Sequence, residues 1–127
     1  MITTLIAVLL VVHGLVHLAI WLPQPDPNEP APPFRPDHSA VLLSAMVPRA
    51  AAHTVSVALA VGSTSAYVAA GVALGLGVAW VVPLAVAGAV SGLVLKLVFF
   101  HPWLSIGIAL DVVVLLSATT AWPVDLY

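Results

Sequence analysis

Long apolar stretches, interrupted by a few polar residues, dominate the chain. The first runs from about residue 3 to 22 and ends at Pro23. About 20 apolar residues are enough for a helix to cross the hydrocarbon core of a bilayer. The stretch lacks a basic N-terminal region, and His13 and His17 interrupt it. We therefore interpret it as a retained transmembrane helix and not as a cleaved signal peptide.

Three more apolar stretches follow, at about residues 49–77, 83–100 and 103–122. A proline-rich loop, residues 23–48, separates the first stretch from the second, and proline cannot continue a helix interior. The last three stretches have short connections, which is typical of antiparallel neighbours. The pattern predicts an all-α fold, an integral membrane antiparallel four-helix bundle, with residues 1–127 as a single domain.

Five spans are the alternative. At ~1.5 Å rise per residue the second stretch is over-long for a ~30 Å core, so it must tilt, project or break. A break at residues 62–65 would give a fifth helix. Four spans put Trp21 and Trp103 on one side of the membrane and Trp80 and Trp122 on the other, as aromatic belts require.

The basic residues also favour four spans, because all three then lie on the Trp21 side: Arg35, Arg49 and Lys96. Cytoplasmic loops carry an excess of Lys and Arg, so this side, with its proline-rich loop, is predicted to be cytoplasmic. Lys96 lies one turn from the interface and is expected to extend its ammonium group outward to water.

Composition agrees with a membrane protein. The 127 residues are 62% hydrophobic and 6% charged, whereas soluble proteins are about 45–50% apolar and about 25% charged. Only three residues are Lys or Arg, which excludes the basic surface that nucleic-acid binding requires. The chain has no cysteine, and therefore no disulfide and no thiolate metal site.

Asp111 is the most informative polar residue. It lies within an apolar run in which no other charged residue occurs between Trp103 and Trp122. An ionised carboxylate at mid-membrane costs about 2.5–3.5 kcal/mol on insertion scales, so such a residue suggests a functional site. A protonated Asp111 that donates to a backbone or serine oxygen is the structural alternative. We predict that Asp111 pairs with His13 across neighbouring first and fourth helices.

His13 and His17 lie four residues apart and share one face of the first helix. Two imidazoles there could form a proton path or a ligand site, or fix helix packing through hydrogen bonds. Polar residues of the second stretch also recur at helical spacing, and three belong to the predicted site: His53, Ser63 and Tyr67. The hydroxyl of Tyr67 needs a buried partner, whereas Ser63 could bond to its own helix.

Common catalytic signatures are missing from the sequence. It contains no phosphate-binding glycine loop, no nucleophile elbow and no HExxH motif. The only glutamate is Glu29, in the proline-rich loop, so the carboxylates of a di-iron bundle are lacking. We therefore lean towards a protein that is not an enzyme and has no resident cofactor or metal.

Short motifs at both ends of the chain resemble those of small bacterial membrane proteins. They are His13-Gly14-Leu15-Val16-His17-Leu18, the turn Phe100-His101-Pro102-Trp103, and the spacing from Gly107 to Asp111. The chain loosely resembles the DoxX-like group of four-helix proteins. This resemblance implies the architecture, a bacterial source and the inner membrane, but no activity.

Three functions follow from these observations. The first is proton-linked transport, or binding of a small ligand or lipid within the membrane, at a site formed by His13, His17, Tyr67, Asp111, Ser63 and His53. The second is a structural or accessory subunit of a homo-oligomer or larger membrane complex. The third is a redox anchor that binds haem b through His17 and His53, with a quinone nearby.

Overall fold

The computed structural model describes residues 1–23, 28, 30 and 48–120. These residues form four α-helices and one short 3₁₀ turn. The helices are α1 (Ile2–Trp21), α2 (Arg49–Leu76), α3 (Val81–Val98) and α4 (Ser105–Thr120), and the 3₁₀ turn, Pro102–Leu104, directly precedes α4. The three spans α1, α2 and α3, together with the 3₁₀ turn and α4 as the fourth, are long and apolar enough to cross a membrane. The prediction of an all-α, four-helix membrane protein is confirmed.

The helix α2 is continuous through residues 62–65, where the five-span alternative placed a break. It ends at Gly77, whose φ of 65° lies in the left-handed region that glycine adopts without strain. The N–H groups of Gly77 and Val78 there bond back to carbonyls of Leu74 and Ala73, which satisfies the last turn of the helix. Because only four residues join α2 to α3, the two helices are antiparallel.

Each helix packs mainly against the next one along the chain: α1 against α2, α2 against α3, and α3 against α4. Small residues allow the close approach, as at Gly71, where an added Cβ would lie 2.7 Å from the Ala7 carbonyl oxygen. Without water between helices, such close packing provides much of the association energy in lipid. Buried apolar side chains form one cluster around Tyr67 and a second around Trp21 and Phe99.

The first and last helices do not close the bundle along their whole length, contrary to the prediction that they are packed neighbours. Between them lies an apolar groove of about 650 Å³, here called the α1–α4 groove. Its walls come from α1 and from the start of α4, with the following lining residues: Leu5, Val8, Leu9, Val12, Val16, Ile20, Ile106 and Leu110. The bundle is therefore open to lipid on one side.

Trp21, which the sequence places at the membrane interface, faces the interior of the bundle. Trp21 is fully buried, and its ring packs edge-to-face against Phe99 with 5.5 Å between ring centroids. Trp80 and Trp103 are exposed, as belt residues are. The remaining predictions on Trp122, Arg35, the Arg49 side chain and most of the proline-rich loop lie outside the described residues.

Candidate functional site

Asp111 is the centre of a buried polar cluster to which all four helices contribute. Its carboxylate is fully buried, although most of α4 faces away from the other helices. The Oδ1 atom accepts hydrogen bonds from His13 Nε2 at 2.8 Å and from the Tyr67 hydroxyl at 2.6 Å. The Oδ2 atom accepts from the Lys96 ammonium group at 2.6 Å. An anion that is otherwise very costly in the membrane thus has three donors.

Lys96 is part of this cluster, and the expectation that it extends outward is wrong. It is buried, with 3% of its surface exposed. Besides Asp111, its ammonium group lies 2.6 Å from His17 Nε2 and 3.5 Å from the Gly92 carbonyl oxygen. Its stem lies against Gly107 of α4, where an added Cβ would come within 2.7 Å of Cε. The pairing with Asp111 offsets the cost of burial that would otherwise drive the ammonium group to water.

The proton positions on His17 follow from its partners. Its Nδ1 lies 2.9 Å from the carbonyl oxygen of His13, which can only accept, so Nδ1 carries the proton. In the neutral ring Nε2 is then an acceptor, which suits the ammonium donor of Lys96. His17 is therefore a neutral base that is held between α1 and α3.

Glycines leave the space that the cluster needs. A Cβ at Gly92 would lie 2.8 Å from Asp111 Oδ2 and 3.0 Å from His17 Nε2. The Tyr67 side chain lies between Gly14 and Gly88, where added Cβ atoms would come within 2.8 Å and 3.0 Å of it. Any larger residue at these positions would have to displace part of the cluster.

The hydroxyl groups of α2 connect helices to one another. Ser63 donates to the Gly88 carbonyl of α3 at 2.9 Å, and Thr64 donates to the Gly14 carbonyl of α1 at 2.7 Å. The suggestion that Ser63 bonds within its own helix is therefore wrong. These two bonds hold the backbones of α1 and α3 on either side of Tyr67. Ser63 therefore supports the cluster, although it makes no hydrogen bond to Asp111.

His53 is not part of the cluster. It is half-buried near the start of α2, and its Nε2 makes no hydrogen bond to another described residue. Both ring nitrogens of His17, in contrast, are engaged, and an iron ligand needs one of them. The geometry therefore gives no support to haem binding by His17 and His53.

The cluster has the ligand types of a metal site but is arranged around an internal cation. His13, His17 and Asp111 offer ligand atoms within 4.8 Å of one another, a set that zinc could use. The Lys96 ammonium group lies 2.6 Å from both His17 Nε2 and Asp111 Oδ2. The ammonium group of Lys96 thus lies between His17 and Asp111, two of the three residues that a metal ion would bridge.

The two sides of the cluster differ in chemistry. His13, His17 and Lys96 line the α1–α4 groove, whereas Asp111 and Tyr67 lie behind them and do not line it. A molecule in the groove would therefore meet two imidazoles and an ammonium group, with the carboxylate on the far side. Apart from Trp21 and Trp103, the polar side chains that line the groove are all basic.

Sequence reasoning missed Lys96, although one signal could have found it. Lys96 and Asp111 lie at nearly equal sequence distances on either side of Trp103. In an antiparallel pair with a short turn, such positions lie at the same depth, where opposite charges can meet.

Comparison with protein-family models, curated proteins and solved structures gave no match. The resemblance to the DoxX-like group stays a prediction, and the function has to be argued from the site itself.

Proposed function

We propose that this chain is a membrane-embedded binding protein for a single-chain lipid-like molecule. The ligand would enter the α1–α4 groove sideways from the bilayer and place its polar end on the basic floor. The observation that carries this proposal is the continuity of an apolar groove with His13, His17 and Lys96. Ligand pockets commonly combine apolar walls with a few convergent polar groups.

The dimensions of the groove suit one chain. His17 lies four residues before Trp21, close to one end of α1, and the apolar walls continue from His17 to Leu5. At ~1.5 Å rise per residue this part of α1 is about 18 Å long. A polar end at His17 would thus lie just below the membrane interface, with the chain directed towards the opposite leaflet.

A photoreactive long-chain alcohol tests this proposal. Purified protein in nanodiscs would be irradiated with a diazirine-labelled hexadecanol, and the labelled residues mapped by mass spectrometry. We expect saturable labelling of the groove walls on α1 and α4, reduced by unlabelled hexadecanol. Labelling that merely follows lipid exposure over all four helices would contradict the proposal.

Two valines provide a matched pair for this experiment. Val12 lines the groove and Val72 lies on α2 outside it, and their exposed fractions are 53% and 52%. Val12→Trp places an indole in the groove and should reduce saturable labelling several-fold, whereas Val72→Trp adds the same bulk elsewhere and should leave it unchanged. Equal effects of the two substitutions would show that the groove is not the binding site.

A further inference from the structure

We infer that the ligand of the α1–α4 groove is a carboxylic acid with one long apolar chain, and that it binds with one proton. This inference rests on the proposed function and specifies its ligand. The basis is the orientation of the cluster relative to the groove. Apart from tryptophan, every polar side chain that lines the groove is basic, and Asp111, which neutralises Lys96, does not line the groove. A carboxylate complements such a floor, whereas a cationic end would meet the Lys96 ammonium group directly.

The proton is required by charge balance. Five groups form the cluster: His13 and His17 from α1, Tyr67 from α2, Lys96 from α3 and Asp111 from α4. Lys96 and Asp111 already neutralise each other, so a bound carboxylate would leave one uncompensated negative charge within the membrane. Such a charge is strongly unfavourable in this environment. One proton taken up with the carboxylate restores neutrality.

His17 is the group placed to receive this proton. Its Nε2 carries a lone pair, because Nδ1 is committed to the carbonyl of His13. When Nε2 is protonated it becomes a donor, releases its bond with Lys96 and can donate to the carboxylate of the ligand. Lys96 keeps Asp111 as its partner. A ligand that enters as the neutral acid transfers its own proton from its carboxyl oxygen to Nε2, so the balance is the same by either route.

The same balance selects one acid class over another. A carboxylate carries one negative charge, whereas a phosphate monoester carries about 1.5 to 2 near neutral pH. His17 can take up one proton at Nε2, the atom that now contacts Lys96, and this proton can compensate one charge in the groove. We therefore expect the carboxylic acid to bind more tightly than an alkyl phosphate of equal chain length.

Competition against the diazirine-labelled hexadecanol tests both parts of the inference. The competitors are hexadecanol, hexadecanoic acid, hexadecyl phosphate, hexadecyltrimethylammonium and hexadecanesulfonate, whose charge does not change with pH. Hexadecanoic acid and the sulfonate should displace the probe at a concentration at least about tenfold lower than hexadecanol, corresponding to about 1.4 kcal/mol. Hexadecyl phosphate and the ammonium compound should be weaker than the acid.

The pH dependence separates proton uptake from simple attraction. Between about pH 6 and 8, the affinity for hexadecanesulfonate should fall as pH rises, by up to about tenfold per pH unit for one linked proton. The affinity for hexadecanol should stay constant. His17→Gln keeps hydrogen-bonding groups but cannot take up a proton, so the sulfonate binding that this variant retains should not depend on pH.

The possible failures are distinct. If hexadecanol binds in the groove but the sulfonate and the acid bind no better, the acid preference is wrong and the proposed function stands. Two results would overturn the assignment of the proton to His17. The first is an affinity for the sulfonate that does not change with pH, and the second is a pH dependence that persists in His17→Gln. If no competitor displaces the probe from α1 and α4, the proposed function itself fails.

Discussion

The ion pair between Lys96 and Asp111 decides how single substitutions in the cluster should behave. Both side chains are buried, so the removal of one leaves the charge of the other uncompensated. We expect Asp111→Asn or Lys96→Met to lower the free energy of unfolding by about 3–5 kcal/mol. The double variant should cost clearly less than the sum, because neither charge remains. Unfolding in mixed detergent would measure this, and additive losses would show that the two charges do not interact.

Gly92 offers a test of how tightly the cluster is built. Gly92→Ala places a methyl group 2.8 Å from Asp111 Oδ2, and overpacking of this kind costs about 1–3 kcal/mol. Gly62 on α2 is the matched control, because a Cβ added there would have no neighbouring atom within 4 Å. Gly62→Ala should therefore leave stability unchanged or raise it by roughly 0.5–1 kcal/mol. Thermal unfolding of both variants provides the comparison, and similar losses for both would be inconsistent with close packing at Gly92.

Periodicity makes some residues of the cluster predictable and hides others. His13, His17, Tyr67 and Asp111 stand out because each is polar at mid-helix in an apolar run, and the structure brings them together. The sequence alone predicts Lys96 at the interface, because a lysine one turn from a helix end can extend its ammonium group to water. Whether the Lys96 ammonium group lies at the interface or inside the bundle depends on its contacts with Gly107 and Asp111. These contacts form only after α3 and α4 have packed together.

The helices themselves are well predicted, since their bounds depend on local signals. Proline and apolar length place α1 to α4 within about two residues of where they are found, and helix ends are seldom defined more closely than this. The α1–α4 groove depends on the crossing of two helices that are distant in sequence. No local pattern encodes such a crossing.

Continuity of α2 gives a prediction for chemical labelling. Ser65 lies on the outer face of this helix, remote from both of its ends. Ser65→Cys should face hydrocarbon, where the thiolate that reacts with maleimide does not form. Val78→Cys lies in the turn after α2 and should react at least about tenfold faster. The chain has no native cysteine, so the two rates can be read directly, and equal rates would favour a break in α2.

The whole molecule has a defined sidedness if all four helices span the bilayer. Leu22 follows α1 and Phe100 follows α3, whereas Val78 follows α2. Cysteines at positions 22 and 100 should therefore be labelled from one face of the membrane, and a cysteine at position 78 from the other. Impermeant maleimide applied to intact cells and to inverted vesicles measures this. The first face should be cytoplasmic, because Arg35 and Arg49 lie on that side in the sequence. Labelling of all three positions from one face would contradict four spans.

The short turn between Lys96 and Asp111 also bears on how the protein is made. As the chain leaves the ribosome, α3 reaches the translocon with an unpaired lysine, and a lone charge costs about 2.5–3.5 kcal/mol to insert. Six residues, 99–104, separate α3 from α4, so the carboxylate arrives soon afterwards. Biogenesis should thus favour insertion of the two segments together as a neutral hairpin. Glycosylation mapping should find α3 inserted less often in the Asp111→Ala variant than in the Lys96→Leu/Asp111→Ala variant. The ion pair at the centre of the polar cluster would then also be needed for membrane insertion.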